Sequence, residues 1–276
     1  MRKLLLYTVC FLGMLFSVLH CRADYPIGKG RVALIGTYNY FYSNKFFDAN
    51  AKLIKYPVGD YFNSSAYGLT FMAGLGRYVD FNISIPFVVQ SLTSNGIKAT
   101  NTGLGDLNTG FAFHFPSETL SKFFTIKANF ILPLYQNDTL VTPYLGFASK
   151  GVQLGASYSF SPFDKTFATL DFTYTRFLEA SEGPNQYRGS VTLSKLLTNY
   201  TTLTGSFAHQ ISRSANTNFS QNISINKNFE GGTISLSLSQ RITRTVTPSI
   251  QGFYTLYGKN MGLGLGASFF LTVRIP

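Results

Sequence analysis

Residues 262–274 read GLGLGASFFLTVR, and their side chains alternate in character along the stretch. One face is apolar and the other is small or polar, with Leu263, Leu265, Ala267, Phe269, Leu271 and Val273 opposite Gly264, Gly266, Ser268, Thr272 and Arg274. A period of two is typical of a β-strand, in which successive side chains point to opposite faces. Strands of globular proteins have about five or six residues, whereas about ten tilted residues cross a bilayer. The stretch therefore predicts a membrane-spanning strand.

The same alternation recurs along the rest of the chain. Twelve stretches show it, which predicts an all-β fold, a transmembrane antiparallel up-and-down β-barrel of twelve strands. They are residues 31–43, 64–75, 78–89, 104–115, 123–134, 151–161, 166–177, 186–196, 200–210, 233–242, 249–256 and 262–274. Thirteen or fourteen strands result if residues 218–228 join the wall. A secreted β-sandwich is the alternative, but its strands are shorter.

The connections between these stretches alternate between long and short. The connections at residues 44–60, 91–102, 136–150 and 211–232 are long, whereas turns such as 76–77 and 197–199 are short. Outer-membrane barrels have short periplasmic turns and longer extracellular loops. Because the first connection is long, both termini are predicted to be periplasmic, which agrees with an even strand number.

The first 23 residues have the pattern of a secretory signal peptide. Arg2 and Lys3 precede an apolar run over residues 4–19, and Ala23 provides a small residue at a cleavage site. Residues 24–276 then form the barrel domain. Both cysteines, Cys10 and Cys21, lie in the signal peptide, so the mature chain has no thiol. Attachment of a lipid at Cys21 is the alternative.

Composition and charge narrow the classes of partner. The chain is 45% hydrophobic and 16% aromatic, which suits a wall with one apolar face. The net charge is +11, and it falls to +8 when Arg2, Lys3 and Arg22 leave with the signal peptide. The remaining basic residues are scattered, so nucleic acid is not predicted as a partner. Outer-membrane lipids, lipopolysaccharide phosphates and an unidentified small solute are the partners expected, with no metal or cofactor.

The phase of each strand assigns polar side chains to the lumen. A Lys or Arg on the lipid face costs about 2–4 kcal/mol at the bilayer midplane, so the inward phase is favoured. The candidates that line the pore are Asp80, Asn82, Asp106, Asn108, Lys127, Asn129, Asp171, Arg188 and Arg241, with His114 near the periplasmic end. These charges either select solutes in a water-filled pore or pair as braces, as Lys127 and Asp106 would on neighbouring strands.

Glycine and aromatic residues provide two further expectations. Gly103 and Gly105 predict a kink that bends a strand and directs Asp106 into the lumen. Most other inward side chains are small, so they leave a cavity in a barrel of this size. Aromatic residues in the long connections form either an interfacial girdle or an apolar entry site; they are Phe46, Phe47, Tyr56, Tyr61 and Tyr144.

The chain resembles an outer-membrane transporter family named for the MetA pathway of phenol degradation, β-barrel relatives of hydrophobic-compound channels. The resemblance is carried by residues 103–107 (GLGDL), by residues 28–30 before a Tyr-rich first strand, and by turns at 158–163 and 239–243. It implies transport of small aromatic or apolar solutes. The chain departs from many outer-membrane barrels because it has no Trp and ends in Ile275-Pro276.

Three functions are compatible with a barrel of this kind. A channel that passes small solutes follows from the polar lumen, and it is the function that we favour. A lipid hydrolase needs a Ser and a His within hydrogen-bonding distance; His114, His209, Ser206 and Ser212 are the residues to test. A structural or adhesin barrel would use its loops as the working surface.

Overall fold

The computed structural model describes residues 26–137, 143–178 and 183–276. The predicted signal peptide, its cleavage after Ala23 and both cysteines lie outside these residues, as does part of the loop at 178–184. Across the three described ranges no helix is long and apolar enough to cross a membrane.

The described residues form fourteen β-strands and one short 3₁₀ helix. The strands are β1 Val32–Phe47, β2 Leu53–Lys55, β3 Tyr61–Gly74, β4 Val79–Ser94, β5 Ile97–Leu104, β6 Asp106–Pro116, β7 Lys122–Pro133, β8 Gly151–Phe163, β9 Thr166–Phe177, β10 Asn185–Leu196, β11 Thr201–Arg213, β12 Phe229–Gln240, β13 Val246–Lys259 and β14 Met261–Ile275. The helix, η1, comprises Ile223–Ile225.

The strands close into a twelve-stranded antiparallel barrel. Neighbours in sequence pair with each other, and β14 pairs with β1 from Val32↔Ile275 to Phe47↔Met261. The short strand β2 pairs only with the end of β1, outside the wall. Strands β5 and β6 both pair with β4 and together form one strand of the wall. The predicted strand number and architecture are confirmed, and residues 218–228 do not join the wall.

The wall is apolar outside and polar inside, as the alternation predicts. Large apolar side chains remain exposed on the outer face; Leu69, Phe130 and Leu236 are 59%, 57% and 60% exposed. Aromatic pairs lie towards both ends of this surface, at Tyr42–Tyr61, Tyr174–Tyr187, Phe115–Phe124 and Tyr158–Phe160. Exposed apolar area on this scale requires a lipid environment.

The connections at the two ends of the barrel differ in length. At the short-turn end, residues 75–78, 117–121, 164–165, 197–200 and 241–245 join the strands. The opposite, long-loop end has connections at 48–60, 134–150, 178–184 and 214–228. The prediction of a loop over residues 91–102 is wrong, because β4 and β5 continue as a hairpin that turns at Asn95-Gly96. Both turn residues have positive φ (52° and 76°), as a two-residue hairpin turn requires.

Candidate functional site

A belt of amide side chains crosses the polar half of the lumen. Asn82 donates from Nδ2 to Oδ1 of Asn129 at 3.2 Å, and Asn129 donates to Oε1 of Gln153 at 3.1 Å. Gln153 in turn donates to Thr175 Oγ1 at 3.1 Å. These residues come from β4, β7, β8 and β9, so one chain of hydrogen bonds links four strands of the wall. Such groups both donate and accept, and they offer a solute polar contacts without a fixed charge.

The belt passes over Gly110 of β6. Gly110 pairs with both Asn82 and Asn129, but its lack of a side chain lets these two amides meet directly. A Cβ at this position would collide with the Ala128 carbonyl oxygen and with the Asn129 amide. The sequence reasoning missed this role, although a glycine between two inward asparagines on neighbouring strands is a signal that could have found it.

Gly110→Ala should therefore lower the unfolding temperature. Overpacking against backbone typically costs about 1–3 kcal/mol, and the hydrogen bond between Asn82 and Asn129 would be strained as well. Gly189→Ala is the matched control, because a Cβ there meets nothing within 4 Å. Heat-dependent gel mobility and circular dichroism would measure both variants. Equal melting of the two would contradict the steric argument.

Lys127 and Asp171 form an ion pair in the lumen. Lys127 Nζ lies 2.8 Å from Asp171 Oδ2, and Thr173 donates to the other carboxylate oxygen at 3.1 Å. The pair joins β7 to β9 across Gly155 of β8, which pairs in register with Lys127 and Thr173. The predicted pair of Lys127 with Asp106 is wrong. Asp106 pairs in register with Pro133, towards the long-loop end of β7 and away from Lys127.

Asp106 instead contacts the loop at residues 134–150. Tyr135 hydrogen-bonds the Asp106 carboxylate and accepts the Ala148 N–H at 3.1 Å. Burial raises the pKa of the Tyr135 hydroxyl, and the negative charge of the neighbouring Asp106 carboxylate raises it further. The strand is interrupted at Gly105, which lies between β5 and β6, and the register with β4 shifts there by one residue. Gly103 lies beside Leu145 of the same loop, so the interruption positions Asp106 under this loop.

A second polar cluster lies near the short-turn end. His114 Nε2 is 3.0 Å from Asp80 Oδ2, and its Nδ1 is 3.0 Å from Thr125 Oγ1. The same oxygen of Asp80 accepts the N–H of Ile27 at 3.0 Å. Asp80 is 2% exposed and Thr125 is 6% exposed, so a substrate has no access to the hydroxyl. The hydrogen bond from Ile27 to Asp80 holds the segment before β1 against the inner face of the wall.

Aromatic rings line the other side of the lumen. Phe41 of β1 and Phe253 of β13 are parallel at 3° with ring centroids 6.4 Å apart, and Phe62 of β3 packs edge-on against Phe41 at 6.2 Å. A Cβ on Gly264 would collide with Phe41, and one on Gly266 would collide with Phe253. The inward glycines of β14 therefore make space for these rings. The lumen thus has an amide belt on β4, β7, β8 and β9, and a cluster of three rings on β1, β3 and β13 beside the inward glycines of β14.

The loop at residues 214–228 crosses the long-loop end of the barrel. Tyr56 donates to the Gln221 carbonyl at 2.6 Å, and Ser224 Oγ accepts the Tyr144 N–H at 3.0 Å. Asn226 donates to the Asn260 carbonyl at 3.3 Å. These contacts reach the connections β1–β3, β7–β8 and β13–β14, which lie on opposite sides of the ring. The loop therefore covers the opening, and we call residues 214–228 the cover loop.

The aromatic residues of the long connections support this cover. Phe46 is 1% exposed and lies against Tyr56 and Phe219 with ring centroids 4.9 and 5.6 Å apart. Phe47 and Tyr56 are also buried, whereas Tyr61 lies beside Tyr42 on the outer face. The girdle interpretation is therefore wrong for Phe46, Phe47 and Tyr56, which pack beneath the loops, and Tyr61 fits it.

Comparison of the sequence with protein-family models and with curated proteins gives no match. Among solved structures, an outer-membrane channel from Pseudomonas putida F1 is similar over 94% of this chain and 100% of its own, with a TM-score of 0.77 and 12% identity. This is the fold of an outer-membrane β-barrel. The NanC porin matches 89% of this chain and 100% of its own, at a TM-score of 0.52 and 9% identity. The translocator domain of the autotransporter NalP from Neisseria meningitidis matches 88% of each chain, at 0.51 and 11%.

In this β-barrel, the remaining predicted pore residues occupy different places. Arg188 and Asn108 lie on the inner face, since Arg188 pairs with Gln210 and Asn108 with Ser84. The placement of Arg241 in the lumen is wrong, because β12 ends at Gln240 and Arg241 lies in the following turn. Its guanidinium donates to the Asn199 carbonyl at 2.8 Å and lies over the Tyr200 ring.

The residues considered for a hydrolase are not brought together within the described barrel. His209 hydrogen-bonds Tyr257, Ser206 bonds Ser235, and Ser212 donates to the Lys227 carbonyl. Over residues 26–137, 143–178 and 183–276, no group of three or more His, Cys, Asp or Glu side chains is placed to hold a metal ion. The barrel therefore offers its lumen, rather than an assembled catalytic group, as the candidate functional site.

Proposed function

We propose that the protein is an outer-membrane channel that passes small solutes, and that these solutes are aromatic or apolar compounds. The observation that carries the proposal is the lumen, which has an amide belt along one side and aromatic rings along the other, inside a closed wall with an apolar exterior. The lumen therefore offers a solute both neutral hydrogen-bonding groups and apolar ring surface. The Pseudomonas putida F1 protein of the same fold is an outer-membrane channel, which supports this function.

The solute class is supported by two independent features. Phe41, Phe62 and Phe253 give the lumen apolar surface that a pore for inorganic ions does not need. The GLGDL segment at residues 103–107 resembles the transporter family named for phenol degradation, which implies aromatic solutes. In the structure this segment contains the interruption at Gly105 and contacts the loop beside the cover loop.

The orientation in the membrane follows from the connections. We place the short-turn end and both termini in the periplasm and the cover loop at the cell surface, since outer-membrane barrels have short periplasmic turns. Residues 1–23 would act as the signal peptide, and the protein would reach the outer membrane after cleavage near Ala23.

Epitope tags inserted in the two kinds of connection should report this orientation. A tag within residues 93–96, at the hairpin turn, should be labelled by antibody on intact cells. A tag within residues 243–246 should be labelled only after the outer membrane is permeabilised. Within these ranges, the insertion points are Asn95-Gly96 and residues 243–245, which are turns between strands, so each insertion is expected to leave the barrel folded. Labelling in the opposite order would invert the proposed topology.

Conductance measurements test the channel function directly. Purified protein in planar lipid bilayers should give discrete current steps in potassium chloride, whereas detergent alone and heat-denatured protein should not. In a second variant, a two-residue Asn-Gly turn replaces residues 214–228. This variant shows whether an absence of current in the natural chain is caused by closure of the opening by the cover loop. If neither the natural chain nor this variant conducts, the channel proposal fails, and a structural or adhesin role gains support.

A further inference from the structure

Arg188 is a charge without a partner inside the lumen. It lies on β10, whose outward residues Tyr187 and Val191 are 42% and 51% exposed to the lipid side, so Arg188 points inward. Within the described part of the chain, its guanidinium makes no ion pair and no hydrogen bond. Lys127 and Asp171, which lie in the neighbouring register rows of β7 and β9, pair with each other. Arg188, the fourth residue of β10, therefore gives the adjoining part of the lumen an excess positive charge.

A half-enclosed cavity of about 300 Å³ adjoins Arg188. Its walls include the amides of Asn39, Gln210 and Gln251 and the rings of Phe229 and Phe253. This volume is at the lower end of the range of small-molecule pockets, which is about 300–1,000 Å³. The cavity thus combines one cation, several neutral hydrogen-bonding groups and two aromatic walls.

We infer that this cavity, the Arg188 chamber, is a binding site for small aromatic monocarboxylates. The planar guanidinium fits a carboxylate with two parallel hydrogen bonds, and Phe229 and Phe253 provide apolar and edge contacts for the ring. The neighbouring amides can satisfy the remaining carboxylate lone pairs. The inference rests on the proposed channel function and deepens it, since it names the solute class that the lumen holds during passage.

The same chemistry separates carboxylates from their nearest alternatives. A benzoate is ionised at neutral pH, whereas a phenol, with a pKa of about 10 like that of Tyr, is not. An uncharged ring leaves Arg188 without a partner, and a small anion without a ring leaves the aromatic walls without contact. The chamber should therefore prefer benzoate over benzyl alcohol and over acetate. A transport site must also release its solute, so the binding should be weak.

Titration calorimetry on the detergent-purified full chain tests this preference, with empty micelles as the blank. Benzoate should bind about tenfold or more tightly than either acetate or benzyl alcohol. Arg188→Gln should remove that advantage, and Arg241→Gln, a basic residue in a turn outside the lumen, should keep it. Phe253→Leu should weaken benzoate binding but leave acetate unchanged. Heat-dependent gel mobility confirms that each variant is folded.

Two measurements distinguish failure of this inference from failure of the channel proposal. If the barrel conducts potassium chloride but benzoate neither binds nor interrupts the current, the inference is overturned and the channel stands. If benzoate binds through Arg188 but neither the natural chain nor the cover-loop variant conducts, the channel proposal fails. Equal benzoate affinity for the natural chain and Arg188→Gln, or equal affinity for benzoate and benzyl alcohol, would also overturn the inference.

Discussion

Replacing residues 214–228 by a two-residue turn should raise the single-channel conductance several-fold. Ser212 pairs with Phe229, so β11 and β12 already form a hairpin that a short turn can close. The cover loop reaches connections on opposite sides of the ring, through Tyr56, Tyr144 and Asn260. Its removal opens the long-loop end of the lumen without altering the register of the wall. Planar-bilayer recordings in one salt solution would compare the variant with the natural chain.

A pair of single substitutions provides the matched control for this prediction. Tyr56→Phe removes the hydroxyl that donates to the Gln221 carbonyl at 2.6 Å, so the cover loop should be held less firmly and open states should become more frequent. Tyr61→Phe changes a tyrosine of the neighbouring strand that lies beside Tyr42 on the outer face, and it should leave the recordings unchanged. Unchanged conductance after removal of the whole loop would show that the constriction lies elsewhere in the lumen.

The architecture could be predicted because the membrane imposes a strict rule on the sequence. Every strand that crosses lipid needs an apolar outer face, and this requirement produces the period of two from residue 31 to residue 274. Strand ends are predicted less accurately where the alternation of apolar and polar residues stops. There β4 continues to Ser94 and β13 to Lys259 through sequence that is typical of a loop.

The contacts inside the lumen could be predicted only in part. Strand phase predicts which residues point inward but not which strand each side chain reaches. The sequence therefore pairs Lys127 with Asp106 on the neighbouring strand, whereas its partner in the structure is Asp171, two strands away. The inward rings are not predicted, because Phe41 stands between two outward tyrosines and the aromatic residues there do not alternate with polar ones. The opposing Gly264 and Gly266 were the available signal, since an inward glycine leaves space for a ring on a neighbouring strand.

Lys127→Glu should lower the unfolding temperature and shift the ion preference towards cations. The pair with Asp171 is nearly neutral, and the substitution replaces it with two acids on the same side of the lumen. A cross-strand ion pair contributes about 0.2–1 kcal/mol, and like charges in its place are destabilising. The lumen also gains negative charge inside low-dielectric walls, which focus its field on permeating ions. Reversal potentials in a salt gradient and heat-dependent gel mobility would measure the two effects.

The double variant Lys127→Glu with Asp171→Lys exchanges the two charges. It should restore the unfolding temperature and the ion preference, because the ion pair forms again with its charges exchanged and the net charge is the same as in the natural chain. Recovery of stability in the double variant, beyond the sum of the single effects, measures the coupling between the two side chains. Lys98→Glu, an exposed charge at the tip of the β4–β5 hairpin, is the control and should leave stability unchanged. If Lys127 acts alone as a pore charge, Asp171→Lys will not rescue the stability of Lys127→Glu. If it acts as a brace between β7 and β9, the exchanged pair will melt close to the natural chain, and Arg188 remains the charge that sets the ion preference.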